Sequence, residues 1–167
     1  RAAQEIIVEM AKSTAEGSIG ALDARLRPDG EKGPLTASIA AYESYYRSRA
    51  QLWELQALTR ARFLCGSLGA EFAQLVQGVW MDAGQRPDLF ARIDAMRERI
   101  RRERGSGSEI LDLKTGLGEM IEAEFLVQAL QMRAGIWNPQ FMFAVTDLKE
   151  AGILSGEDAS ALQGSYD

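Results

Sequence analysis

The sequence predicts a mainly α protein, a multi-helix bundle behind a small N-terminal α/β piece. Three observations carry this. After Pro34 the apolar residues recur at spacings of three and four nearly throughout, which is the helical period. Only Ser18 to Arg27 alternates as a strand does. Pro28, Asp29, Gly30, Gly33 and Pro34 mark a loop between the two regimes. The chain therefore divides at residues 1–34 and 35–167.

Each element has its own reason. Residues 2 to 13 form a helix, with Ile6, Ile7 and Met10 on its apolar side, and Ser13 to Gly17 break it. In the strand, Leu22, Ala24 and Leu26 point one way while Asp23, Arg25 and Arg27 share the other face. A lone strand needs a sheet to bury it, so partner strands are expected upstream. Thr36 or Ser38 caps a helix to about Arg47, and another runs from about Ala50 to Cys65, closed by Gly66. A helix over about Leu68 to Asp82 follows. Asp88 then caps one to about Arg104.

GSGS at 105–108 is a flexible joint, and Ile110 to Lys114 is a short extended piece. A helix from about Leu117 to Arg133 comes next. Asn138-Pro139 opens another to about Ala151, where Gly152 ends it. Ser155 and Asp158 resemble a capping box for the last helix.

Composition narrows the function. The chain has 167 residues, a net charge of −5 and a pI near 4.9, so a general nucleic-acid binder is disfavoured. No apolar run approaches the ~20 residues of a membrane span, so no membrane role is expected. The single cysteine, Cys65, forms no internal disulfide, which fits a reducing, cytoplasmic setting. There is no histidine, which removes His triads, His metal sites and His proton shuttles. Chemistry must rest on carboxylates, Lys, Arg, hydroxyls or an oxygen-held metal. The chain opens without Met inside a helical pattern and ends just past another, which reads as a fragment of something longer.

Three helices differ in surface. In residues 88–104, Leu89, Ile93, Met96 and Ile100 form one stripe, and alternating arginines and glutamates cover the rest. That pattern is a solvated, salt-bridged face, with Glu98–Arg102 and Arg99–Glu103 at the pairing distance. The helix at 53–65 is apolar on several sides, so Glu54, Arg60 and Arg62 need partners inside the bundle or face a cleft. In residues 120–133, Glu124, Gln128 and Gln131 form a polar stripe walled by apolar residues. Arg60 and Arg62 are its expected partners, in a structural network or one that positions arginines for a phosphate-bearing ligand. Glu119, Glu122 and Arg133 cluster on the opposite, solvent side.

Several strings then occur in a telling order: TAEG (14–17), LDARLRPDGEKGPL (22–35), YESYY (42–46), LWELQALTRARF (52–63), DLKTGLGEMIEAEF (112–125) and VQALQ (127–131). Together they resemble the bacterial glutamine synthetase adenylyltransferases, bifunctional adenylylating and deadenylylating enzymes, and the resemblance spans essentially the whole chain. D-x-R-L-R-P-x-G followed by W-E-x-Q-A-L-x-R-A-R is long and specific. It implies the end of a polymerase-β-type nucleotidyltransferase domain followed by its helical domain. One unit of that family attaches AMP to a tyrosine of glutamine synthetase; the other removes it by phosphorolysis. The wording here is closer to the adenylylating unit.

The resemblance implies ATP and Mg²⁺, with glutamine synthetase and the PII signal protein as partners. It makes Asp23 the third carboxylate of the metal site, able to ligate the metal or act as general base. Arg25 and Arg27 would steady phosphate charge. The other two carboxylates belong to a Gly-Ser-x-Asp-x-Asp string that these residues lack, so this chain alone is expected to be inactive. There are departures. Gly118-Glu119 replaces paired glycines, Glu122-Ala123-Glu124-Phe125 replaces D-I-E-F, and Gly66-Ser67 replaces Gly-Asp. They leave open a non-catalytic helical docking module or a degenerate transferase unit. A related nucleotidyltransferase acting on another protein is a third possibility.

Overall fold

A computed structural model describes residues 1–17, 20, 22–104 and 120–164. The joint at 105–108, the extended piece at 110–114, the start of the helix expected from Leu117, Glu119 and the C-terminal residues 165–167 lie outside the described residues, as do positions 18, 19 and 21 of the expected strand. Eight α-helices are present among the described residues. None is long and apolar enough to cross a membrane. The chain forms two compact units, Arg1–Ala50 and Gln51–Asp167.

The first unit holds α1 (Ala2–Ala11) and α2 (Ile39–Ser48). No residue of α1 is buried, and Ile6 and Val8 are exposed. A tight turn follows, in which Thr14 and Gly17 exchange backbone hydrogen bonds of 2.8 and 3.1 Å. The strand expected from Ser18 to Arg27 is not formed among the described residues of that stretch. An extended segment becomes a strand only by pairing its backbone groups, and the one bridge among the described residues joins Thr14 to Gly17. Instead, residues 22–33 form a loop that ends in one 3₁₀ turn, Gly30–Lys32. Ser38 caps α2 as expected, its Oγ accepting from the Ala41 N–H at 3.2 Å. Tyr45 and Tyr46 are buried.

The second unit holds α3 (Leu52–Ala57), α4 (Gly69–Gly84), α5 (Leu89–Arg104), α6 (Met120–Ala134), α7 (Phe141–Glu150) and α8 (Gly156–Gly164). Its core runs from Leu55 and Leu58 through Val76, Val79 and Trp80 to Leu89, Val127 and Met132. A satellite of Ala144, Val145, Leu148 and Ala159 joins it at Val127. The stripe expected on α5 points inward: Leu89 and Ile93 are buried, Met96 and Ile100 half-buried.

Helix α6 packs against α3, α4, α5 and α7. Its second face is therefore not the solvent side expected for Glu122 and Arg133. Glu122 lies 3.5 Å from Arg97, and the Arg133 guanidinium stacks 5.3 Å from the Phe90 ring centroid while donating to the Arg86 carbonyl at 2.9 Å. A helix with mixed faces sits at the centre of a bundle when its polar groups find partners on the neighbours. Close approach to α4 is allowed by Gly84, where a Cβ would stand 1.9 Å from the Met132 carbonyl oxygen.

The chain between α7 and α8 turns as the sequence predicts. Gly152 takes a positive φ of 73°, the Ile153 N–H donates to Leu148 O at 2.9 Å, and the Gly152 N–H donates to Lys149 O at 2.9 Å. Ser155 Oγ then donates to Asp158 Oδ2 at 2.7 Å and accepts from the Asp158 N–H at 3.0 Å, closing the expected cap.

Candidate functional site

Asp23 and its two arginines lie in the loop before α2, and the loop separates them. The Asp23 carboxylate belongs to Arg25. Oδ1 accepts from the Arg25 backbone N–H at 3.0 Å and from Nε at 2.9 Å; Oδ2 accepts from Nε at 3.0 Å and Nη2 at 2.6 Å. Both side chains are more than half exposed. The side-chain and backbone hydrogen bonds from Arg25 lower the Asp23 pKa from 3.8 to about 2, and Asp23 in turn raises that of Arg25. The carboxylate is therefore ionised at neutral pH.

Arg27 does not share this face. Its guanidinium turns into the loop and donates to backbone carbonyls: Nη1 to Ala24, Nη2 to Glu31 at 3.3 Å and to Gly33 at 3.2 Å, and Nε to Gly33 at 3.4 Å. The expectation that Asp23, Arg25 and Arg27 present one surface fails because it required a strand. In a turn the side-chain direction follows the local dihedrals, not a period of two.

In the second unit the sequence-predicted polar stripe of α6 finds its partners. Arg60 pairs with Glu124 through two parallel contacts, Nη1 to Oε2 at 3.3 Å and Nη2 to Oε1 at 3.0 Å. Glu124 is largely buried while Arg60 keeps most of its surface in solvent. Gln56 Nε2 donates to Gln128 Oε1 at 2.8 Å, and Gln131 Nε2 donates to the Asn138 carbonyl at 2.8 Å. Arg62 is exposed and makes no ion pair among the described residues. Thus one of the two expected arginines joins the stripe and the other does not.

The reason lies in how α3 ends. A helix was expected to continue to Cys65, but it tightens to a 3₁₀ turn at Leu58–Arg60 and stops. Thr59 collects two indoles. Its Oγ1 accepts from Trp80 Nε1 at 2.8 Å, and its carbonyl accepts from Trp137 Nε1 at 2.9 Å, with the two rings stacked 6.2 Å apart. That carbonyl is the acceptor a continuing α-helix would have given to Phe63. Arg60 therefore leaves the helix end facing α6, and Arg62 falls beyond it. The residues sequence reasoning missed here are Thr59, Gln56 and Asn138. Gln56 and Thr59 lie inside the matched string at 52–63; Asn138 lies outside every matched string and had only its place before Pro139 at a helix start.

A small cavity of about 20 Å³, room for one water, lies between Arg60, Glu124, Gln128, Gln131 and Asn138. Among the described residues no group of three or more His, Cys, Asp or Glu is arranged to hold a metal ion. Asp23 supplies the oxygen donor that Mg²⁺ prefers, and Mg²⁺ commonly takes only one or two protein carboxylates with substrate phosphates completing its shell. The donor type fits as one ligand of a larger set.

Known proteins match nearly the whole chain. A family profile described as glutamate-ammonia ligase adenylyltransferase matches residues 1–76. The bifunctional glutamine synthetase adenylyltransferase/adenylyl-removing enzyme of Stenotrophomonas maltophilia K279a is 39% identical over 99% of this chain and 19% of its own length. The enzyme of the same description from Xanthomonas axonopodis pv. citri is 39% identical over 86% of the chain and 16% of its own. That from Acinetobacter baylyi is 32% identical over 99% and 19%. The chain spans about a fifth of the length of the curated relatives it matches.

Proposed function

The chain belongs to the glutamine synthetase adenylyltransferase family, and from that premise we propose that it is part of a nucleotidyltransferase acting on glutamine synthetase in the control of nitrogen assimilation. In this reading residues 1–34 are the end of the nucleotidyltransferase domain, including the α/β part, and residues 35–167 belong to its helical domain. ATP and Mg²⁺ serve the full-length protein in the cytoplasm, and the PII signal protein regulates it.

The reaction is transfer of AMP. A tyrosine oxygen bonds to the α-phosphorus of ATP, the bond from that phosphorus to the β-phosphate oxygen breaks, pyrophosphate leaves and the hydroxyl proton passes to a base. In the removing direction, orthophosphate attacks the same phosphorus, releasing the tyrosine and forming ADP. Mg²⁺, when bound, supplies neutralising charge at the phosphates and a more acidic hydroxyl.

The observation that carries the reading is the ionised Asp23 carboxylate in the D-x-R-L-R-P segment. Its hard oxygen donors, charged at neutral pH, suit a divalent cation, and this reading gives Asp23 the role of metal ligand. Arg25 already fills the roughly four lone-pair positions of that carboxylate. Holding a cation requires the guanidinium to move aside, which an exposed, solvent-screened pair permits. Arg25 then carries positive charge beside the phosphates. The Arg60–Glu124 pair serves the helical domain, holding α6 to the end of α3.

A second reading, a docking module or degenerate unit, is favoured by Glu122. This residue replaces the family's aspartate and is used in an ion pair with Arg97. The experiment that separates the two is Asp23→Asn in the full-length protein. AMP attachment and removal are each assayed on glutamine synthetase. The transferase reading predicts loss of one activity by at least ~10²-fold, the scale on which transition-state charge stabilisers act, with unfolding temperature unchanged. Both activities intact would favour the docking module. The isolated 167-residue chain is expected to transfer no AMP.

A further inference from the structure

Arg27 lies four residues beyond the acid and its charge is spent within the loop. The half-buried guanidinium donates only to the carbonyls of Ala24, Glu31 and Gly33 among the described residues. The Ala24 carbonyl belongs to the Ala24–Arg25 peptide, whose N–H donates to Asp23 Oδ1, so this contact holds a peptide that in turn holds the acid. The rest of the loop is wound tightly around it. Asp29 adopts a left-handed φ of 61°, unusual for a residue with a side chain. Pro28 is buried, and a Cβ on Gly33 would stand 2.0 Å from the Pro28 carbonyl oxygen.

A second arginine grips the loop from outside. Arg49, at the end of α2, donates from Nη1 and Nη2 to Asp29 Oδ1 and Oδ2 at 3.0 and 3.2 Å. Its guanidinium also lies 5.0 Å from the centroid of the Tyr45 ring, one helical turn back. The left-handed turn at Asp29 is what aims that carboxylate at α2. One arginine closes the loop and the other moors it to a helix.

We propose that Arg27 is a positioning residue for the metal-ligating acid, not a phosphate ligand: it holds residues 24–33 closed, and the Asp29–Arg49 pair fixes that loop on α2, so that Asp23 is presented in one direction. The inference rests on the transferase reading above. It changes which of the two neighbouring arginines meets substrate, leaving Arg25 alone in that role.

The test uses the full-length protein, with initial rates of AMP transfer at varied ATP. Arg27→Lys is the informative change. An ammonium keeps the charge but cannot bond three carbonyls in the plane of a guanidinium. A positioning role predicts a kcat lower by ~10–100-fold, the range a misplaced reacting group produces, with KM for ATP within about twofold. Hydrogen exchange is expected to rise in residues 24–33 and stay unchanged in α4 and α6. A phosphate ligand would instead show a raised KM for ATP, near-normal kcat and unchanged exchange; that result overturns the proposal. Should Arg27→Lys fail to fold, Arg49→Gln releases the loop from its exposed side. It is expected to lower kcat at constant KM as well, and unaltered kinetics and exchange there would overturn the mooring. An active Asp23→Asn enzyme sinks the underlying transferase reading. An inactive Asp23→Asn enzyme combined with a KM-only effect of Arg27→Lys sinks the positioning role alone.

Discussion

Asp23 keeps its negative charge far into the acid range because Arg25 donates four times to it. The sign follows directly. The folded pKa of about 2 lies below the ordinary 3.8, so the stabilisation from this pair is complete above pH 3.8 and is lost as pH falls towards 2. A carboxyl ¹³C titration of this chain by NMR should find the Asp23 midpoint near 2, and Arg25→Gln should return it towards 3.8. A wild-type midpoint at the ordinary value would mean that the pair does not persist in solution. At this scale the sequence is legible where contacts are local. An aspartate two residues before an arginine meets it in many backbone geometries. Arg27 was not legible, because its target carbonyls are set by a left-handed turn at Asp29 that no alternation pattern encodes.

Helix ends tell a similar story one level up. Ser38 and the Ser155–Asp158 pair mark true starts, because capping is chemistry between residues a few positions apart, and α5 begins at Leu89, directly after Asp88. The helical stretch of α3 and its 3₁₀ turn ends at Arg60 and not at the expected Cys65, because what stops it comes from Trp80 and Trp137, far along the chain. The missing strand has the same cause: pairing is non-local, and its partner is not supplied by the described residues. Thr59 is the test of this view. In Thr59→Val the shape is nearly kept, but the buried Trp80 indole loses its acceptor. An unsatisfied buried donor costs about 1–3 kcal/mol, which thermal or urea unfolding of this chain should register. Unchanged stability would mean that the indole finds another partner and that Thr59 does not organise the helix end.

Across the whole molecule the helical class was legible, because periodicity over several helices sums many weak local signals. The polar stripe of α6 was legible too. Glu124 and Gln128 interrupt an apolar pattern, and such residues are retained inside a bundle only with partners, which Arg60 and Gln56 supply. The burial of its other face was not, since Glu122 and Arg133 look like surface residues until α5 is placed against them. Membership in the adenylyltransferase family rests on relatives that match along nearly the whole chain, and it gives Asp23 a meaning that an exposed ion pair would not otherwise have. In the proposed function Asp23 is one ligand of a divalent cation in the full-length protein. The direct measurement is Mn²⁺ affinity in the presence of a non-hydrolysable ATP analogue, read by electron paramagnetic resonance in wild type and Asp23→Asn. The account predicts binding weaker by at least ~10-fold in the variant, as expected when a carboxylate leaves the shell of a hard cation. Equal affinity in the two proteins would contradict it.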